Sequence, residues 1–275
     1  MTLALAPETL DVPPALADTD LVAIDTETTG LWWGERLVEL GAVRFRGDRV
    51  IARWRTLVDP CRSIPEGVSK IHGLSDADVA GAPRAREVLR KLLAFCEGAV
   101  LLAHNATFDR DILATELARA GMDAPESLKV GCTWRLAKRT IAVAPRYGLA
   151  ALASHLGFPT ESPHRALADA ELTRRLYLEC LGRGAELSDD LTFPLAGAVR
   201  RVRDLPRSLR PLRVAKALGH AVTLSVSPLV EGEEPMELRG VPALFYARGS
   251  DQGIDLDAGE GKVHSLGAER IVSVR

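Results

Sequence analysis

The sequence predicts an α/β layer on a mixed sheet, followed by a small, barrel-like β domain. Three observations carry this. Short apolar runs alternate with segments of helical apolar spacing as far as residue 181. Gly47-Asp48 separates two strand-like runs at hairpin spacing. After Gly182 the helical pattern gives way to Pro and Arg, and then to short apolar segments between Gly, Pro and Asp.

The elements follow in order. Residues 1–18 are Ala/Pro-rich and acidic without periodicity, and read as a disordered lead-in. Leu21 to Asp25 reads as a buried strand, and Val38 to Phe45 and Val50 to Val58 flank the hairpin, so three consecutive strands open a domain spanning 19–182. A helix is expected from Pro83 to Cys96, and Ala99 to Ala103 is a buried strand that runs out at His104-Asn105. Phe108 to Arg119 reads as a helix closed by Gly121, and Leu128 to Cys132 as a fifth strand. Leu149 to Leu156 and Arg165 to Leu181 read as later helices. Residues 183–219 form an Arg-rich connector with a helix. Residues 220–275 carry five candidate strands: Ala221 to Val226, Ala243 to Ala247, Gly253 to Leu256, Val263 to Leu266 and Ile271 to Val274.

Composition narrows the function classes. With 47% hydrophobic and 26% charged residues, the chain is neither disordered nor collagen-like. No apolar run approaches the roughly 18 residues of a membrane span, and no membrane partner is expected. The first 18 residues hold acids but no Lys or Arg, unlike a secretory leader. Cys61, Cys96, Cys132 and Cys180 lie in no metal-ligand or CxxC spacing, which fits a reducing, cytoplasmic setting. The net charge of -2 gives no global attraction to a polyanion. Locally, Val199 to Lys216 holds seven bases against Asp204, which reads either as a solvated linker helix or as a phosphate-contacting strip.

Three segments carry chemistry. In Ile24-Asp-Thr-Glu-Thr-Thr-Gly-Leu31, the two-residue period of a strand puts Asp25 and Glu27 on one face, where they can share a hard cation. A bare DxE alone is more often a solvated strand end. In Ala103-His-Asn-Ala-Thr-Phe-Asp109, Asp109 opens a helix, a position that the helix dipole alone also favours. In His164-Arg-Ala-Leu-Ala-Asp169, five residues at about 100° each separate the two side chains, so His164 is expected on the loop before the helix.

Together, in this order, the three segments resemble the Exo I, Exo II and Exo III motifs of the DEDDh, or DnaQ-like, 3′–5′ exonucleases. The resemblance covers about residues 20–181 and includes Val38-Glu-Leu-Gly-Ala-Val43, Ile64-Pro-Glu and Ile71-His-Gly-Leu74. It implies a ribonuclease H-like fold with a mixed five-stranded sheet. It also implies two divalent cations, Mg2+ or Mn2+, held by Asp25, Glu27, Asp109 and Asp169, with His164 as general base. By the same resemblance Thr28, Leu31, His72 and Phe108 lie near the 3′-terminal nucleotide, although Leu31 and Phe108 suit core packing equally well and His72 a loop hydrogen bond. The implied activity is hydrolysis of DNA from the 3′ end to nucleoside 5′-monophosphates, in proofreading or repair. Implied partners are single-stranded or 3′-ended DNA, with RNA open, and a DNA polymerase or a repair protein. An exoribonuclease and a catalytically inert nucleic-acid-binding regulator are the alternatives; five filled catalytic positions argue against the second. Two departures stand out: Gly131-Cys132-Thr133 in place of an Asp-Thr helix start, and Pro163 before His164. The C-terminal segments Leu244-Phe-Tyr-Ala-Arg248 and Ala268-Glu-Arg-Ile-Val272 weakly resemble the end of a WYL domain, without the Trp-Tyr-Leu signature itself.

Overall fold

A computed structural model of the chain describes residues 19–159, 164–202, 205, 207–228 and 234–275; the expected lead-in and Pro163 lie outside them. The chain opens with β1 (Leu21–Thr28), β2 (Leu37–Arg46) and β3 (Arg49–Leu57), paired antiparallel in sequence. Gly47, at φ 56°, supplies the left-handed residue that so tight a turn between β2 and β3 requires. Three helices follow: α1 (Glu66–His72), α2 (Asp76–Val79) and α3 (Ala85–Phe95). Then come β4 (Val100–Ala103), α4 (Thr107–Ala120), β5 (Lys129–Cys132), α5 (Thr133–Thr140), α6 (Leu149–His155) and α7 (Ala166–Gly182).

The sheet is mixed, in the order β3-β2-β1-β4-β5-β6, with β4 parallel to β1 and β5 parallel to β4. Its sixth strand, β6 (Thr192–Pro194), goes beyond the five expected and pairs antiparallel with β5. Three residues ending in Pro show no alternation to read, and Pro without an N–H suits such an edge. Alternation along β1 divides the core. Val22 and Ile24 face α3 and α4, while Leu21 and Ala23 face α5 and α7. The large side chains buried between these layers are mainly apolar, so the two faces hold the sheet between helices on both sides.

A second antiparallel sheet follows the first. After β7 (Arg200–Arg201) and α8 (Arg210–Leu218) come β8 (Val222–Val226), β9 (Met236–Arg248), β10 (Asp251–Gly259), β11 (Lys262–Gly267) and β12 (Ile271–Val274), in the order β11-β10-β9-β8-β12. β9 is far longer than the five residues expected, because Gly240 and Pro242 interrupt its apolar pattern without ending the strand. Its first half pairs with β8 and its second with β10, while β7 adds at Tyr246 and Ala247. At Gly240 a side chain would meet the Asp257 carbonyl at 2.7 Å, so glycine is required there. Leu212 and Ala215 of α8 close the small core over Leu224, Phe245, Ile254 and Leu256.

The two sheets share an interface. Tyr246 of β9 belongs to the core between the first sheet and α4, with its ring edge-on to Trp33 at 5.6 Å. Arg201 donates to the carbonyls of Ala118 and Arg119 at the end of α4. At least one base of the Arg-rich stretch is thus built into the structure.

Candidate active site

Residues of odd number on β1 face α7, so Asp25 and Glu27 continue the face begun by Leu21 and Ala23. Asp169 stands in the first turn of α7. One carboxylate oxygen from each of Asp25, Glu27 and Asp169 lies within 4.8 Å of the other two. On β2, the residues opposite Glu27 and Asp25 are Glu39 and Gly41. Glu39, fully buried, accepts from the Ala166 N–H at 3.0 Å and from Arg165 at 2.8 Å, which fixes the start of α7. Gly41 allows that start to approach, because a side chain there would lie 2.1 Å from the Ala166 backbone. Sequence reasoning passed over Glu39 as a functional residue; a charge inside the apolar run of β2 was its signal.

Asp109, at the start of α4, stands outside that trio and is buried. Residues of even number on β1 face α4, so the Thr26 hydroxyl donates to its carboxylate at 2.8 Å. His164 sits just before α7 with φ 61°, exposed to solvent, as the five-residue spacing requires. The neighbouring His104 is structural. Its Nε2 donates to the Tyr147 carbonyl at 2.8 Å, its Nδ1 lies 3.2 Å from Thr133 Oγ1, and burial pushes it down to about 4. Thr133, which also donates to the Ala103 carbonyl, anchors the helix start that Cys132 lacks the chemistry to cap.

The acids strain against one another. Burial pushes Asp25 well above the usual carboxylate range, and the charges of Asp109, Asp169, Glu27 and Glu39 push it further. Burial, then Asp169 and Glu39, raise Glu27 to about 7 against a weaker opposing pull from Arg165. Burial raises Asp109 to about 7 despite its Thr26 hydrogen bond. Asp169 is also raised by burial, and His164 opposes the shift. The atoms brought together here are all carboxylate oxygens. Clustered carboxylates that protons alone relieve fit a hard divalent cation better than any internal counter-ion.

The expected substrate contacts fall into two groups. Leu31 is 86% exposed, which excludes core packing, and together with half-buried Phe108 it lines a cleft of about 340 Å3. Trp33, Asn105, Asp111 and Arg248 complete its walls, so β9 of the second sheet reaches this cleft. The Asp111 carboxylate holds Arg248 at 2.8 Å. Thr28 and His72 are buried near each other. Thr28 Oγ1 donates to the Gly30 carbonyl at 2.5 Å. His72 Nδ1 accepts from the Leu74 N–H at 3.1 Å, while its Nε2 makes no well-formed hydrogen bond among the described residues and lies toward the Thr28 backbone. Burial lowers the His72 imidazole, against a smaller pull from the Thr28 backbone.

Comparison with known proteins bears on the same segments. The family model RNase_T, described as Exonuclease, matches residues 22–177. The DNA polymerase III subunit epsilon of Treponema pallidum is 38% identical over 167 residues, covering 60% of this chain and 77% of that one. The subunit epsilon of Aquifex aeolicus is 32% identical over 179 residues, covering 64% of this chain and 87% of its own. Other relatives are larger: the chain spans 25% of the epsilon-like protein of Rhodobacter capsulatus. Among solved structures, Exonuclease X in complex with 5′ overhanging duplex DNA matches with TM-score 0.52 at 28% identity, covering 62% of this chain and 98% of that one.

Proposed function

Because the chain belongs to the RNase_T exonuclease family, whose model matches residues 22–177, we propose that it removes nucleotides from the 3′ end of DNA as nucleoside 5′-monophosphates. One observation carries the reading: Asp25, Glu27 and Asp169 converge, with Asp109 beside them, in a site where burial and mutual repulsion raise their proton affinities. Asp25, Glu27, Asp109 and Asp169 would hold two divalent cations, Mg2+ or Mn2+. When bound, such ions supply a nucleophile from water and stabilise charge on the attacking and leaving oxygens.

The chain's own side chains do the rest. An imidazole is the side chain suited to accept a proton near neutral pH, and His164 presents one to solvent beside Asp169. Glu39 and Gly41 position it by fixing the first turn of α7. Leu31 and Phe108 would offer apolar faces to the terminal bases, and Thr28 and His72 would contact the sugar end. The likeness to the polymerase III epsilon subunits makes a DNA polymerase a candidate partner, alongside a role in repair.

The test follows 5′-labelled DNA and RNA oligomers of matched sequence, with Mg2+ or Mn2+ and with chelator. Labelled DNA shortened stepwise from its 3′ end, only when cation is present, is the expected result. Asp25→Asn should silence it. His164→Ala should slow it about 10²–10⁴-fold while cation binding persists. Shortening that survives chelation, or full activity in Asp25→Asn, would overturn the reading; faster loss of RNA would select the exoribonuclease.

A further inference from the structure

A basic groove lies on the flank of the site away from the Leu31 cleft. β3 is the edge strand of the first sheet, and its Arg53 and Arg55, two residues apart, point to the same side. Facing them on α7 are Ala168, Glu171, Leu172 and Arg175, a spacing that puts all four on one helix face. With Arg165, which directly follows His164, these residues line a groove of about 390 Å3.

Its charges do not balance. Among the described residues, Arg53, Arg55, Arg165, Arg174 and Arg175 form ion pairs with two acids, Glu39 and Glu171, five positive charges against two in a chain whose net charge is -2. The five guanidiniums are also unequal. Arg165 and Arg174 bond their acids closely, at 2.8 and 2.5 Å. Arg53, Arg55 and Arg175 stand 3.6–3.7 Å from theirs, outside hydrogen-bond distance, and are 54%, 50% and 37% exposed. Among the described residues, no acceptor takes their N–H donors. A structural network would have drawn them in. A single small anion would meet three separate guanidiniums along an open surface, whereas a chain of phosphates would meet them in turn.

We propose that this groove holds the phosphodiester backbone of the nucleic acid beyond the nucleotide being released, an assignment that rests on the exonuclease reading. The groove begins at Arg165, next to the catalytic loop, so a strand or duplex engaged at the acids passes over it. Contacts of this kind position nucleic acid without reading its bases.

The experiment compares the native chain with Arg53→Gln/Arg175→Gln and with Arg53→Lys/Arg175→Lys. Binding of a long DNA strand and of its duplex is measured at several salt concentrations with Asp25→Asn added throughout, and hydrolysis of the 4-nitrophenyl ester of thymidine 5′-monophosphate is measured without it. The Gln pair should bind long DNA more weakly and lose about 1.4 from the slope of log K against log salt, about 0.7 for each single-strand phosphate contact. The Lys pair should restore most of that slope, and ester hydrolysis should stay at the native rate. An unchanged slope overturns the groove, as does an equal loss of ester hydrolysis, which would mean that the α7 start had moved. A native chain that binds long DNA through the groove yet leaves the ester intact with either cation would instead refute the exonuclease reading.

Discussion

Two groups of acids lie at opposite ends of α4, and they differ in what faces them. At its start, Asp109 joins Asp25, Glu27 and Asp169, and the charges acting on Asp25 are all negative. Near its end, Glu116 is bonded by Arg36 at 2.7 Å and by Arg119 at 3.0 Å. Arg119 also pairs with Asp255 of β10 at 2.9 Å and donates to the Tyr246 hydroxyl at 2.8 Å, which in turn donates to Asp255 at 3.0 Å. Burial pushes Glu116 and Asp255 up as it does the others, but the Arg36 and Arg119 guanidiniums outweigh it and hold both below the usual carboxylate range. Asp109 is buried as deeply as Glu116 and Asp255, yet its shift is the opposite of theirs. Acids with strong internal counter-charge join the two sheets; acids whose counter-charge is weak are the ones proposed to hold cations.

The largest expected effect breaks the paired end. Arg119→Leu leaves Glu116 and Asp255 buried with too little positive charge, and should cost about 3–5 kcal/mol of stability. Asp25→Asn removes one of several mutually repelling charges and should leave the cation-free protein as stable or more so. Urea midpoints of both variants, in chelator, give the contrast directly. Should Arg119→Leu cost less than about 1 kcal/mol, the range of a surface pair, the paired cluster would not be what holds the sheets together.

This contrast also marks what the sequence makes legible. Asp25, Glu27, Asp109, Asp169 and His164 could be picked out because they lie in three short local segments which, taken together and in order, resemble the exonuclease motifs, although each alone suits a plainer reading. The paired cluster gives no such signal. Arg36 and Glu116 are 80 residues apart, and Arg119 and Asp255 are 136 apart, so their meeting depends on how the start of β2, and then β10, pack against α4. β6 and β7 escaped for a related reason: three and two residues are too short to show a period. The Arg-rich stretch shows the limit from the other side. Its charge was readable, but not that Arg201 would be spent on two helix-end carbonyls, while the loosely held arginines lie on β3 and α7 instead.

A smaller effect sharpens the unpaired end. Cation that binds only the folded chain should stabilise it by about 2.7 kcal/mol at a concentration 100 times its dissociation constant. The gain should be retained in an Arg119→Leu chain, whose acid quartet is intact, and largely lost in Asp25→Asn. Melting temperatures with Mg2+ or Mn2+ against chelator measure it. Equal gains in native and Asp25→Asn chains would place the cation elsewhere.

A slope of at most about 1.4 kcal/mol per pH unit for each group separates the clusters by the sign of their pH dependence. Glu27 and Asp109, pushed up to about 7, keep protons in the folded chain that the unfolded chain has already released above the ordinary carboxylate range of about 4. The folded state then binds more protons, so in chelator stability should fall as pH rises from about 4 to about 7 and level off above it. Glu116 and Asp255 act the other way. Held below the ordinary range, they contribute stability that is complete above about pH 4 and is lost as acid protonates them. With saturating Mg2+ the quartet is ionised in the folded chain, so the decline toward neutrality should disappear while the acid limb remains. Urea midpoints across this range, with and without Mg2+, test the pair of slopes. In Arg119→Leu the acid limb should flatten, and in Asp25→Asn the neutral decline should soften; if each substitution altered the other limb instead, the assignment of counter-charge to one end of α4 and of cations to the other would be wrong.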